Sequence, residues 1–103
     1  MSDGAPAALD ALGDPSRRAI LELLRDGDRS VREVADALPI TRPAVSKHLR
    51  LLTEAGLVEG HREGTRSIYR LRADGLEAVE DYLQRLWREA AARYQLLAQN
   101  AAP

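Results

Sequence analysis

Residues 31–55 hold two short amphipathic segments separated by only Pro39 and Ile40, a spacing that constrains the 103-residue chain more than any other feature. Ser30 and Glu33 stand at capping-box spacing ahead of the first segment, Val31 to Leu38, whose Val34, Ala35 and Leu38 face inward. Pro39 stops it. Thr41 caps the second segment, which runs to about Ala55 and repeats Val45, Leu49 and Leu52 at i, i+4 and i+7, the pattern of a buried seam. Gly56 closes it. Two helices joined by so tight a turn form a helix-turn-helix unit, whose second helix can lie in a major groove.

The flanking sequence supplies the remaining elements. A short helix is expected over Ala7 to Leu12, with Leu9 and Leu12 on one face. Asp14-Pro15 starts another, with Asp14 as N-cap and Pro15 in the first turn. Ile20, Leu21, Leu23 and Leu24 form its stripe and Gly27 ends it. After Gly56 the period changes: Leu57 to Arg62 reads as a strand, Glu63-Gly64 as a turn and Thr65 to Leu71 as the returning strand. A two-stranded hairpin is marginal alone and must lean on the helices. Asp74 and Glu77 cap a long helix to about Gln99, in which Leu76, Val79, Leu83, Leu86, Ala90, Tyr94 and Leu97 recur in a coiled-coil-like stripe. So long a stripe needs a second copy of the chain to cover it. The tips, Met1–Pro6 and Asn100–Pro103, read as frayed. The expected architecture is mainly α with a small β-hairpin: four helices, a hairpin and a long helix, a winged helix-turn-helix in a single domain over 1–103 with its ordered core at about 7–99.

Charge is distributed unevenly. The net charge is −1, yet residues 41–72 carry seven Lys and Arg against three acids, whereas both flanks are acidic. This concentrates positive potential on the part of the fold that holds the second helix and the hairpin. The absence of cysteine excludes disulfides, zinc fingers and thiolate metal sites. No apolar run reaches the roughly 18 residues of a membrane span, and Met1–Pro6, with Asp3 and no basic cluster, does not read as a secretory signal. A cytoplasmic, nucleoid-associated protein is expected.

With Val45, Leu49 and Leu52 facing the core, Pro43, Lys47 and Arg50 project from the opposite side, with Arg42 and Ser46 at its edge. Arginine and lysine donate to guanine O6 and N7, and the Thr41 and Ser46 hydroxyls suit phosphates or bases. The helix N-terminus adds unsatisfied N–H groups for a phosphate. Arg62 and Arg66 flank the hairpin turn, giving a narrow basic tip that can reach a minor groove or track phosphates. Glu63 at the tip opposes this. Taken together the spacings point to double-stranded DNA.

The runs Ala11-Leu12-Gly13-Asp14-Pro15-Ser16-Arg17-Arg18-Ala19-Ile20-Leu21, Ser46-Lys47-His48-Leu49-Arg50-Leu51-Leu52 and Ala55-Gly56-Leu57-Val58, with the hairpin from Arg62 to Tyr69, resemble an ArsR/SmtB-type regulator over roughly residues 8–97. The resemblance implies a dimer built from the first and last helices, so that Leu9 and Leu12 join Leu76, Val79, Leu83, Leu86, Trp87, Ala90, Tyr94 and Leu97 at the interface. It also implies an inverted-repeat operator, usually bound by a repressor, and matches Arg42, Pro43, Ser46 and Lys47 to the family's DNA-contacting positions. Two departures stand out. Where arsenic and cadmium sensors carry Cys-x-Cys this chain has Ser30 and Arg32, and where zinc sensors carry Asp-x-His it has Ala73 and Gly75. The final helix, with Tyr82, Trp87 and Tyr94, resembles the branch without these ligands. Members of that branch are often encoded beside small ligand-binding proteins, so an effector or co-sensor protein is an expected partner.

His48 and His61 are the only histidines, too few for a transition-metal site within one chain. A site assembled across two copies with carboxylates stays open. Trp87, Tyr82 and Tyr94 read as dimer core in preference to a ligand pocket. Arg17 and Arg18 are placed either on phosphate or in salt bridges to Asp14 or Glu22. No cofactor is expected. An enzyme is disfavoured by the lack of a Cys nucleophile, a Ser–His–acid context or a Gly-rich phosphate loop. A winged-helix module that binds protein is the other alternative, but it predicts a neutral or acidic face where Arg42, Lys47 and Arg50 stand.

Overall fold

The computed structural model describes residues 4–101. The elements run α1 (Gly4–Leu12), α2 (Pro15–Arg25), β1 (Arg29–Ser30), α3 (Val31–Ala37), α4 (Arg42–Glu54), β2 (Val58–Glu63), β3 (Arg66–Leu71) and α5 (Ala73–Ala101). The arrangement is a winged helix-turn-helix, with one strand more than the sequence suggested. β1 pairs antiparallel with β3, so the hairpin is part of a three-stranded sheet in the order β1-β3-β2. Two residues are too few to show a period of two, which is why β1 has no signature of its own in the sequence.

Local chemistry sets the ends of the elements. The Asp14 carboxylate accepts the N–H groups of Ser16 at 2.7 Å and Arg17 at 3.2 Å, and Pro15 follows where its missing donor costs nothing. At α3 the capping box is complete: Ser30 Oγ accepts from Glu33 N, and Glu33 Oε1 accepts from Ser30 N. α4 ends in a Schellman motif. Gly56 takes φ 78°, the Gly56 N–H donates to Thr53 O and the Leu57 N–H to Leu52 O, both at 3.0 Å. Leu52 and Leu57, the apolar pair that accompanies such a motif, are both fully buried.

The core lies between α1, α2, α3, α4 and the base of the sheet. Ile20, Val34, Val45, Leu49, Leu52, Leu57 and Val58 have no exposed surface, and Ala8, Leu24 and Val79 pack with them. Each fully buried aliphatic side chain contributes about 1.5–3 kcal/mol. The C-terminus of α1 is held differently. Arg17 Nε donates to Ala11 O at 2.8 Å and Arg18 Nη1 to Leu12 O at 2.7 Å, two cations on carbonyls that lack helical partners. Arg17 also stands 3.8 Å from Asp14, one of the alternatives that the sequence left open.

Several boundaries are corrected. α1 begins at Gly4 and α5 continues to Ala101, so Gly4–Pro6 and Asn100–Ala101 are helical, not frayed; residues 1–3 and 102–103 lie outside the described residues. Glu63 pairs with Arg66, leaving Gly64 and Thr65 as the turn, one residue later than expected; Gly64 takes φ 63°. α5 starts at Ala73, so Asp74 is inside the first turn and is not the cap. Its carboxylate is gripped by the Arg72 guanidinium, which holds it below its ordinary pKa. Val79, expected at a dimer interface, also packs with the protomer's own core.

α5 departs from the body of the fold. Its 29 residues span about 43 Å at the helical rise, yet it packs chiefly on the short α1. The radius of gyration is 18.1 Å, against about 13 Å for a compact chain of this length. From Glu80 to Asn100 no residue is buried.

Two substitutions test these junctions. A Cβ on Gly75 would lie 1.9 Å from the Gly56 carbonyl oxygen, so α5 can cross the end of α4 only where residue 75 has no side chain. Gly75→Ala should destabilise the fold by about 2 kcal/mol despite the helix propensity gained; an unchanged urea midpoint would refute the close crossing. The Asp14 carboxyl is held below its usual pKa first by the Arg17 N–H and then by the Ser16 N–H. A depressed folded pKa stabilises above the unfolded value, near 3.9, and is lost as pH falls through the folded one. Asp14→Asn keeps a capping oxygen without the titration, so its thermal midpoint should fall less than the parent's between about pH 5 and 2. Parallel acid limbs would show that the cap does not titrate.

Candidate nucleic-acid interface

Thr41 Oγ1 accepts the Ala44 N–H at 3.3 Å, and Pro43 follows in the first turn, so α4 starts at a fixed residue. Its inner side is then set by Val45, Leu49 and Leu52, all without exposed surface. At 100° per residue the outer side is Pro43, Lys47 and Arg50, flanked by Ser46, with Arg42 at the helix start. The structure exposes Thr41, Arg42, Pro43, Ser46, Lys47 and Arg50. Arg62 and Arg66 are also exposed, on the two strands of the wing.

The basic residues divide into two groups. Arg42, Lys47, Arg50 and Arg62 form no ion pair among the described residues. Arg66 Nη2 instead donates to Glu33 Oε1 at 3.1 Å, Arg70 Nε to Glu59 Oε2 at 2.6 Å, and Arg72 pairs with Asp74. At the tip His61 Nε2 and Glu63 Oε2 are 3.0 Å apart, so the acid that opposes a basic wing has a partner of its own. Within residues 41–72 the cations without an ion pair are therefore the outer residues of α4 and Arg62.

Glu33 is a residue that sequence reasoning placed only in the capping box. The same Oε1 accepts the Ser30 N–H and the Arg66 guanidinium, and its carboxyl is held below its ordinary pKa chiefly by the Ser30 N–H. The contact spans 33 residues and has no local signature in the sequence. His48 is half-buried on α4, and its Nδ1 is enclosed with no hydrogen-bond partner. Among the described residues no three of His, Asp and Glu come together as metal ligands would, and no helix is long and apolar enough to cross a membrane.

Of the residues assigned to a dimer interface, Leu9 and Leu12 are partly buried against the core and Ala90 is half-exposed. Leu76, Leu83, Leu86, Trp87, Tyr94 and Leu97 are exposed, Trp87 at 71% and Tyr94 at 69%. Tyr82 joins them. Val79, Leu83 and Trp87 line an open groove along α5 with the polar Glu80, Gln84 and Arg88 at its borders.

Comparison with known proteins agrees with this geometry. Residues 14–60, from the α2 cap to the start of the wing, match the family described as bacterial regulatory protein, arsR family. The HTH-type transcriptional regulator Rv2034 of Mycobacterium tuberculosis is 46% identical over 90 residues, 87% of this chain and 84% of that protein. Among solved structures, the ArsR-like transcriptional regulator from Rhodococcus sp. RHA1 is 32% identical, with a TM-score of 0.87 over 96% of this chain and 93% of that one. The homodimeric winged helix-turn-helix DNA-binding domain Mb0332 of Mycobacterium bovis is 32% identical, with a TM-score of 0.69 over 88% of this chain and 84% of that one. A matching core sequence, a relative aligned through most of both chains and a shared fold lead to one conclusion: the chain belongs to the arsR family of bacterial regulatory proteins.

Proposed function

We propose that this protein is a sequence-specific regulator of transcription that binds double-stranded DNA as a homodimer, with α4 in the major groove and the wing on the backbone or in the adjacent minor groove. The observation that carries this reading is the outer side of α4, where Arg42, Lys47 and Arg50 stand exposed and without ion-pair partners opposite a fully buried seam. Thr41, Pro43 and Ser46 complete the groove-facing surface, and Arg62 extends it onto the wing. Repression by occupying an inverted-repeat operator is the mode that the family resemblance implies. Residues 1–103 act as a single domain. An effector or co-sensor protein is the partner that the family resemblance implies; at Gly75, where zinc sensors of the family carry a ligand, a side chain would meet the Gly56 carbonyl.

The second protomer belongs on α5, where Leu83, Leu86, Trp87, Tyr94 and Leu97 are otherwise in water. Contiguous apolar surface of this kind marks an interaction site, and the Mycobacterium bovis relative is described as homodimeric. Two recognition helices would then stand about 34 Å apart, one turn of DNA.

Sedimentation at micromolar protein should give a dimer for the parent and a monomer for Trp87→Glu, a change that touches none of the protomer's core; a monomeric parent would remove the dimer. Selection of bound sequences from random duplex DNA should recover an inverted repeat with half-sites about 10 base pairs apart. Arg42→Ala should weaken that site by about 1–3 kcal/mol and relax base preference within the half-site. Recovery of no enriched sequence by the parent would overturn the reading as a whole.

A further inference from the structure

The two arginines at the end of the wing occupy different surroundings. Successive residues of a strand point to opposite faces, and the register places Glu59, His61, Glu63, Arg66, Ile68 and Arg70 on one face of the hairpin. Every polar side chain of that face has an internal partner: Arg70 with Glu59, His61 with Glu63 and Arg66 with Glu33. Arg62 and Ser67 lie opposite one another on the other face, and Arg62 has no ion pair among the described residues.

The Arg66–Glu33 ion pair also sits at a mechanically significant point. β1 braces β3 through Arg29↔Tyr69 and Ser30↔Ile68 and goes no further. Arg66 is two residues nearer the tip, about 7 Å along the strand, on the same face as Ile68. Its partner Glu33 is itself tied to the backbone, since the same Oε1 accepts the Ser30 N–H at 2.8 Å and Ser30 is 4% exposed. The guanidinium thus extends the bracing of the wing past the end of β1, onto the capping box that starts α3.

We propose that Arg66 is a positioning residue, fastening the wing to the helix-turn-helix through Glu33, and that Arg62 is the wing residue that contacts DNA phosphate. This rests on the DNA-binding reading above and reassigns Arg66 from the phosphate role that the sequence suggested. Arg62 offers a guanidinium with no ion pair among the described residues, whereas the charge of Arg66 is already opposed by Glu33.

Glu33→Gln separates the two roles, because glutamine keeps the capping-box acceptor and removes the charge. Binding is measured on the selected operator over a series of salt concentrations. Arg62→Ala should lower the slope of log K against log salt by about 0.9 for each phosphate that the protein no longer neutralises. Arg66→Ala and Glu33→Gln should each weaken binding about three- to fivefold with the slope unchanged, the double variant should be no weaker than either, and Arg66→Lys should restore most of the affinity. If Arg66→Ala lowers the slope as Arg62→Ala does, and Glu33→Gln tightens binding by releasing the arginine, the proposal is overturned. A readout without DNA separates it from the reading beneath. In the free protein, backbone order parameters of Gly64 and Thr65 should fall in both Glu33→Gln and Arg66→Ala. That fall, with no duplex bound by the parent, would keep the fastening and discard the DNA-binding function; unchanged order parameters would discard the fastening.

Discussion

Withdrawal of one side of α4 from water is the interaction on which the rest of the structure depends. Val45, Leu49 and Leu52 are enclosed by α1, α2, α3 and the base of the sheet. At about 1.5–3 kcal/mol for each buried side chain, their combined preference far exceeds the roughly 0–1 kcal/mol of a surface ion pair. The rotation of the helix about its own axis is therefore decided by these three residues and not by the charges around it. Because a helix has only one opposite side, Pro43, Lys47 and Arg50 have no alternative to facing outward. Thr41 and Gly56 act independently of this, one fixing where the helix begins and the other where it ends.

The same driving force is left unsatisfied on α5. At its start Gly75 crosses the end of α4 and Val79 packs with the central core. Beyond it the apolar stripe continues with nothing against it. One helix is thus core at its start and open apolar surface further on.

What the sequence disclosed follows the range of the interactions. Asp14 with Pro15, Ser30 with Glu33, Thr41 before its seam and Gly56 after it all act within a few residues, and each does in the structure what its spacing implied. The outward set on α4 was equally legible, since it follows from periodicity once the seam is recognised. β1 was not, because a two-residue strand exists only through its partner β3. Glu33–Arg66 and the capping of α1 by Arg17 and Arg18 were invisible for the same reason, joining segments whose proximity is known only after folding. That Val79 also packs with the central core was not legible, because a continuous stripe does not reveal which part of it the protomer's own helices will reach.

The crossing at Gly56 and Gly75 has a further consequence. The Arg72 N–H donates to Leu57 O at 2.9 Å at the base of the β2–β3 ladder, so the hairpin begins and ends at neighbouring points. Between those points the hairpin is an excursion whose contour does not determine where α5 begins. Lengthening or shortening its outer end would leave the junction and the helix axis undisturbed. Variation at the tip of the wing can therefore change that loop while the exposed apolar stripe of α5 keeps its geometry.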